Sequence, residues 1–221
     1  RERMLSGAIR LDPRQSLHQA LVEMNSGIFR AALNSAAFEG MATTVVIAWL
    51  LGDRLWVAHT GDSRLYRLRD GDLVQLTRDH SFSQELLDAG MVTEDEARLL
   101  PAKNLVTRAL GASPEIEPEI HDYDVLAGDV LLLCSDGLTE MVLHGEIATL
   151  MKALLPDITE AARRLVDMAN EAGGRDNTSV VLVRVSGAGT PEVRPVRSSS
   201  ENAGPADDET TIVDTSGDDI V

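Results

Sequence analysis

The sequence predicts an α+β domain in which an antiparallel β-sandwich is flanked by helices. Two observations predict this class. Strand-like runs follow one another across short turns of Gly and Asp, which is typical of antiparallel hairpins and not of alternating βαβ units. Helical periodicity comes in separate blocks before, between and after those runs. Stacked layers allow such strands and helices each to bury one face.

A helix is expected near the start of the chain, which opens on Arg1 and not on Met. Apolar residues recur there with the three- and four-residue spacing of a helix face: Leu17, Ala20, Leu21, Met24, Ile28, Ala31 and Ala32. A chain that opens directly on such a helix is expected to begin in mid-domain.

Four strand-like runs follow this helix. They cover residues 43–50, 54–59, 63–69 and 72–77. The turns between them are Gly52-Asp53, Gly61-Asp62 and Asp70-Gly71. Because each turn is so short, the pattern predicts that consecutive runs pair in one antiparallel meander.

The rest of the chain alternates helical and strand-like blocks. A polar helical segment covers 81–103, in which Thr93 and the acidic residues after it predict a helix N-cap. Strands are predicted at 104–109, 116–123, 129–134 and 178–185, and amphipathic helices at 146–155 and 159–171. We expect residues 1–186 to form one domain. Residues 187–221, with eight acidic residues against two arginines, are expected to be a disordered acidic tail.

Composition narrows the possible functions. The chain has 221 residues, of which 43% are hydrophobic and 25% charged, as in an ordinary folded domain. A formal net charge of −16 would repel a phosphodiester backbone, so nucleic acid is not expected as a partner. No apolar run approaches the roughly 20 residues that span a bilayer, and no signal peptide opens the chain. A cytoplasmic protein without a membrane partner is therefore expected.

Three acidic turns adjoin predicted strands. They are Gly61-Asp62-Ser63-Arg64, Ser135-Asp136-Gly137 and Arg175-Asp176-Asn177. Carboxylates at strand ends can converge at one edge of a sheet, where their hard oxygen atoms suit Mg²⁺ or Mn²⁺. Asp and Gly are also ordinary turn residues, so any one of these motifs alone is more typical of a plain turn. Only their order and surroundings make them specific.

Six short motifs lie in a fixed order between about residues 15 and 185. They are Gly40-Met41-Ala42-Thr43-Thr44, Val57-Ala58-His59-Thr60-Gly61-Asp62-Ser63-Arg64, Asp79-His80-Ser81, Thr107-Arg108-Ala109-Leu110-Gly111, Leu133-Cys134-Ser135-Asp136-Gly137-Leu138 and Asp176-Asn177-Thr178-Ser179-Val180. In this order they resemble the successive motifs of the protein phosphatase 2C (PPM) family of metal-dependent Ser/Thr protein phosphatases, bacterial type.

The resemblance implies a β-sandwich with helices on both sides (αββα) and hydrolysis of phosphoserine and phosphothreonine in proteins. It implies that Asp136 and Asp176 are ligands of a two-cation centre of Mn²⁺ or Mg²⁺, and that Asp62 helps to hold a third cation. The segment that begins at Ser81 and ends at Lys103 corresponds to the family's flap, which is associated with substrate choice. Such cations would also offset the repulsion between an anionic substrate and the carboxylates.

The sequence also departs from the family pattern. The family's upstream Arg, acidic residue and metal-bridging Asp-Gly motif are not found before Gly40. We therefore expect an incomplete domain that lacks N-terminal strands, and a chain that holds metal poorly and turns over slowly. The alternative is a pseudophosphatase, a catalytically impaired binding or regulatory module.

Other chemistry is less well supported by the residues. Cys134 is not followed by the Arg of a Cys-x5-Arg phosphate loop, because that position is Glu140. A buried structural cysteine is the better interpretation. A histidine such as His59 or His80 is more often structural than catalytic. Arg64 and Arg108, beside loop carboxylates, are more typical of supporting ion pairs than of phosphate binding.

The acidic tail contains a short apolar island, 208–214. Acidic residues precede Thr210 and Thr211, which resembles a site for a bacterial Ser/Thr kinase. A phosphate there would add negative charge and acceptor oxygens for a forkhead-associated domain protein. An inert solubilising tail is the competing interpretation.

Overall fold

Two antiparallel sheets stack face to face, and helices cover the outer face of each. The computed structural model describes residues 12–102, 105–155 and 157–186. The strands are β1 (Val45–Leu51), β2 (Arg54–Thr60), β3 (Arg64–Arg69), β4 (Asp72–Gln75), β5 (Glu119–Asp124), β6 (Val130–Cys134) and β7 (Val180–Arg184). The helices are α1 (Pro13–Asn34), α2 (Phe82–Asp88), α3 (Glu94–Leu99), α4 (Asp136–Thr139), α5 (His144–Leu154) and α6 (Ile158–Glu171).

The first four strands divide between two sheets. One sheet has the order β1-β2-β5 and the other β4-β3-β6-β7, and neighbours are antiparallel throughout. The predicted single meander is therefore wrong, because β2 and β3 do not pair. The chain crosses from one sheet to the other at Gly61, whose φ of 111° turns it out of the first sheet. A short Gly-Asp link in the sequence does not distinguish such a crossing from a hairpin.

Side chains alternate between the two faces of each strand, and this alternation builds the layers. Leu55 and Val57 of β2 pack between the sheets with Leu65 and Leu131. Alternate residues face outward, so Ala58 of β2 packs under Leu17 and Leu21 of α1. On the far side, outward residues of β3, β6 and β7 pack against α4, α5 and α6, including Leu132, Leu182, Ile147 and Leu165. The predicted helix-flanked antiparallel sandwich is confirmed.

Helix α1 is capped at its start and hydrogen-bonded to Gly111 near its middle. Its N-cap Asp12 accepts hydrogen bonds from the amides of Arg14 and Gln15 at 3.0 and 3.3 Å. Further along, the amide oxygen of buried Asn25 accepts from the backbone of Gly111 at 2.7 Å. Within the described residues, none of the helices combines the length and apolar character needed to cross a bilayer.

The predicted strand at 104–109 is wrong in its described part. Residues 105–110 form two isolated bridges, one from Val106 to Ser81 and one from Leu110 to Thr43. Their backbone hydrogen bonds go to two different segments, so no continuous ladder forms. Lys103 and Asn104 lie outside the described residues.

The polar segment 81–103 forms two short helices, α2 and α3, in its described part. Ser81 is the N-cap of α2 and accepts from the amide of Gln84 at 3.3 Å. The predicted N-cap at Thr93 is confirmed, because Thr93 and Glu96 form a reciprocal capping box at the start of α3. His80, directly before Ser81, forms hydrogen bonds with Gly61 and so links this segment to the end of β2.

Candidate functional site

Three aspartates lie at one edge of the four-stranded sheet. Strand register determines this, because Arg64 pairs with Cys134 and Cys134 pairs with Val180. Asp62 precedes the start of β3, Asp136 follows the end of β6, and Asp176 precedes the start of β7. The antiparallel order therefore brings these three sequence-predicted residues to the same end of the sheet.

The carboxylates at this edge repel one another. Burial and then the charge of Asp136 raise the pKa of Asp62 to about 6. Burial and then the charge of Asp176 raise the pKa of Asp136. Within residues 12–102, 105–155 and 157–186, none of the three forms an ion pair with a basic side chain. An edge of carboxylate oxygens without an ion-pair partner fits Mg²⁺ or Mn²⁺.

Two loops at this edge pass unusually close to each other. A Cβ atom placed on Gly137 would lie 2.3 Å from the carbonyl oxygen of Asn177. The hydroxyl of Ser135 donates to that same oxygen at 3.2 Å and accepts from the amide of Ser179 at 3.0 Å. Glycine at position 137 thus permits the loop carrying Asp136 to approach the loop carrying Asp176.

Arg64 supplies a positive charge near this edge. Its guanidinium binds the carboxylate of Asp79 at distances of 2.6 to 2.9 Å and donates to the hydroxyl of Tyr66 at 2.9 Å. The charge of Arg64 also lowers the pKa of Asp62 and that of Asp136, against the larger effects of burial and repulsion. Arg64 is therefore a supporting ion-pair residue. Arg108, the other arginine singled out in the sequence, is exposed to solvent.

Cys134 does not have the environment of a reactive thiol. It is buried at the end of β6, and burial raises the pKa of its thiol to about 12. A nucleophilic cysteine needs a thiolate near neutral pH, and hence a lowered pKa. The structure supports the structural interpretation of this residue.

A second polar cluster lies beneath the Gly61–Asp62 link and joins His59, His80 and Glu119. The potential ligand atoms of these three residues lie within 4.8 Å of one another. Among the described residues, this group of side chains is compact enough to hold a metal ion. The two imidazole rings stack with centroids 4.8 Å apart and an interplanar angle of 18°. Sequence reasoning missed Glu119, because only strand pairing brings β5 beside β2.

Hydrogen bonds account for the His80 ring and for Glu119 without an ion. The amide of Gly61 donates to Nδ1 of His80 at 3.2 Å, so the ring proton of His80 is on Nε2 and donates to Glu119 at 3.2 Å. A cation on Nε2 would require a proton on Nδ1, facing the Gly61 N–H. Nε2 of His59 lies 2.8 Å from the carbonyl oxygen of Arg78 and 3.3 Å from its amide nitrogen, while Nδ1 of His59 is buried without a hydrogen-bond partner among the described residues. These hydrogen bonds fix the orientation of the His80 ring, and the His59 ring stacks on it.

Acid is expected to destabilise the fold through His59. Burial lowers the pKa of His59 from 6.5, so unfolding takes up a proton below that pH and the free energy of unfolding falls. Asp62 has the opposite effect on the free energy of unfolding. Its pKa is raised in the fold, so acidification stabilises the folded state through this residue. The test therefore compares urea unfolding of wild type and His59→Gln at about pH 7.5 and about pH 5.5. The variant should lose less stability on acidification, and an equal loss in both proteins would contradict this assignment.

The fold and the site define a class: an αββα sandwich with a carboxylate edge suited to divalent cations. The family model described as Protein phosphatase 2C matches residues 9–178. The chain belongs to the protein phosphatase 2C family, and the resemblance inferred from the six motifs is confirmed. It is 42% identical over 162 residues to the Serine/threonine protein phosphatase PstP of Mycobacterium tuberculosis. It is 40% identical over 150 residues to Protein phosphatase PhpP of Streptococcus pneumoniae.

These matches cover different shares of the relatives. The alignment with PstP covers 73% of this chain and 31% of PstP. The alignment with PhpP covers 68% of this chain and 61% of PhpP. Among solved structures, the PstP catalytic domain in complex with two manganese ions matches at TM-score 0.68 and 38% identity. That match covers 76% of this chain and 68% of the other. The serine/threonine phosphatase of S. agalactiae matches at TM-score 0.70 and 34% identity, covering 75% and 67%.

Proposed function

We propose that this domain hydrolyses phosphoserine and phosphothreonine in proteins with two Mn²⁺ or Mg²⁺ ions at the carboxylate edge. Asp136 and Asp176 would be ligands of this centre, and Asp62 would help to hold a third ion. The observation that carries the proposal is the convergence of these three aspartates at one end of the four-stranded sheet, where none of them has an ion-pair partner among the described residues. The solved PstP catalytic domain with two manganese ions supports the same kind of centre.

When bound, two such ions would polarise the phosphoryl oxygens and make a water molecule nucleophilic near neutral pH. The chain's own residues provide the geometry. Gly137 and Ser135 keep the loops of Asp136 and Asp176 together. Arg64, fixed by Asp79, supports the edge with a positive charge that does not depend on pH in the physiological range.

Substrate choice is proposed to depend on the segment between Ser81 and Lys103. In its described part this segment presents exposed apolar side chains, with Met91 and Leu99 exposed to 71% and 83%. It is joined at His80 to the turn that carries Asp62. Mobile or variable segments on a rigid scaffold commonly contact substrates.

The direct test is hydrolysis of p-nitrophenyl phosphate and of a phosphothreonine peptide with and without Mn²⁺. Because the chain spans 61% of PhpP, both residues 1–221 and the full-length gene product should be assayed. We expect hydrolysis by the full-length product that chelator removes and that added Mn²⁺ restores. Activity insensitive to chelator would contradict the two-ion proposal. No activity in either protein, with specific binding of phosphoproteins, would support the pseudophosphatase alternative.

The regulatory setting is a further part of the proposal. The sequence around Thr210 and Thr211 supports phosphorylation by a Ser/Thr kinase and recognition by a forkhead-associated domain protein. These residues, like the whole of 187–221, lie outside the described residues. The boundary at 186, the disordered tail and the cytoplasmic location stay predictions from the sequence.

A further inference from the structure

His80 lies at the centre of a hydrogen-bond network around the link between the two sheets. The residue is 5% exposed. Its backbone amide donates to the carbonyl of Gly61 at 3.0 Å, and its Nδ1 accepts from the amide of Gly61 at 3.2 Å. Its backbone carbonyl accepts from Thr107 at 2.8 Å. His80 thus binds both polar backbone groups of the residue directly before Asp62.

Glu119 fixes the orientation of the His80 ring. It accepts the Nε2 proton of His80 through one carboxylate oxygen, while the other oxygen binds His121 at 2.7 Å. His80 can therefore present an acceptor to Gly61 without losing the partner of its own N–H. The ring cannot turn over without leaving the N–H of Gly61 and one carboxylate oxygen of Glu119 without the partner that His80 provides, which is costly at a buried position.

The Gly61–Asp62 link needs such an external partner. It connects strands of different sheets, so no β-ladder holds it. Gly61 has a φ of 111°, and a Cβ atom there would lie 2.4 Å from the side chain of Thr44. A left-handed residue without ladder hydrogen bonds depends on its other contacts to keep one conformation.

We propose that His80 is a positioning residue for Asp62. It holds the turn in the conformation that directs the Asp62 carboxylate to the edge shared with Asp136. It also couples this turn to helix α2, because the next residue, Ser81, is the N-cap of that helix. The proposal rests on the proposed function, in which Asp62 helps to bind a cation.

Two amide variants separate the two contacts of the ring. In His80→Asn the side-chain oxygen can occupy the place of Nδ1 and accept from Gly61, but it does not reach Glu119. In His80→Gln the amide reaches Glu119 but leaves Gly61 without an acceptor. The control is His121→Asn, which changes the exposed histidine on the same carboxylate without touching the turn. All three keep a polar group at the changed position.

The first measurement is hydrogen exchange of the Gly61 amide by NMR in the full chain. We expect His80→Gln to raise the exchange rate about tenfold over wild type, as expected for loss of one buried hydrogen bond. His80→Asn and His121→Asn should stay within about threefold. Similar exchange in His80→Gln and wild type would overturn the proposal, whether or not the protein binds Mn²⁺.

The second measurement is Mn²⁺ binding, followed by the electron paramagnetic resonance of free Mn²⁺. His80→Gln should weaken the lowest-affinity site severalfold and leave the tighter sites unchanged, and His80→Asn should restore it. Equal affinity in all variants, despite faster exchange at Gly61, would overturn the link to Asp62. A wild-type protein that binds no Mn²⁺ would contradict the proposed function, while the exchange comparison would still decide whether His80 holds the turn.

Discussion

Replacing Asp136 or Asp176 by Asn is expected to abolish Mn²⁺-dependent phosphatase activity of the full-length product, by at least about 100-fold. The estimate is a lower bound, because residues outside the ligand shell alone change metal affinity or activity by about 10- to 100-fold. Asn keeps the shape of the side chain but removes the anionic oxygen that a hard cation prefers. Calorimetric titration with Mn²⁺ and steady-state hydrolysis of p-nitrophenyl phosphate would measure both effects.

Two further variants make this experiment specific. Asp62→Asn should reduce activity at limiting Mn²⁺ and leave it nearly normal at saturating Mn²⁺. Asp53→Asn changes an exposed Gly-Asp turn of the same local sequence type and should have no effect.

Asp136→Asn should also unfold no more easily than wild type, because it removes a charge that raises the pKa of Asp62. Unchanged Mn²⁺ binding in Asp136→Asn or Asp176→Asn would remove that residue from the proposed centre.

Gly137→Ala is expected to destabilise the domain by about 1–3 kcal/mol and to weaken Mn²⁺ binding at the same time. The new methyl group would lie 2.3 Å from the backbone oxygen of Asn177 and 2.9 Å from its carbonyl carbon. Backbone atoms cannot move aside as a flexible side chain can, so the loops of Asp136 and Asp176 must separate. Urea unfolding monitored by circular dichroism and a parallel Mn²⁺ titration would measure the two losses.

A matched glycine provides the control. Gly145 lies in helix α5, and a Cβ atom there would have no neighbour within 4 Å. Gly145→Ala should therefore stabilise the domain by up to about 1 kcal/mol, through the better helix propensity of Ala, and leave Mn²⁺ binding unchanged. If Gly137→Ala is as stable as wild type and binds Mn²⁺ equally well, the close approach of the two loops is not needed for the site.

Much of the local structure was predictable from the sequence, because short-range chemistry decides it. The spacing of Leu17 and Leu21 predicted α1, and the residues after Thr93 predicted the start of α3. β-rich runs separated by short Gly and Asp turns predicted most of the strands that form the sandwich. The order of the six motifs identified the family and selected Asp62, Asp136 and Asp176 among many acidic residues.

Other features depend on contacts between segments that are distant in the chain, and only the tertiary structure decided them. Gly61-Asp62 looks like a hairpin turn, but pairing of β3 with β6 makes it a crossing between sheets. The run at 105–110 resembles a strand, yet its backbone hydrogen bonds to other segments are divided between His80 and Phe82 on one side and Thr43 on the other. No local pattern indicates which partner strand or segment is available.

The chemistry of the site follows the same division. The sequence by itself determined which residue types could bind a cation, since the motifs contain the carboxylates of Asp62, Asp136 and Asp176. The tertiary structure decided that Asp62 is buried beside Asp136, that Gly137 lies against Asn177, and that Glu119 orients His80. The repulsion between Asp62 and Asp136, the contact of Gly137 with Asn177 and the orientation of His80 each depend on distances between segments that are far apart in the chain. Strand pairing and register set these distances.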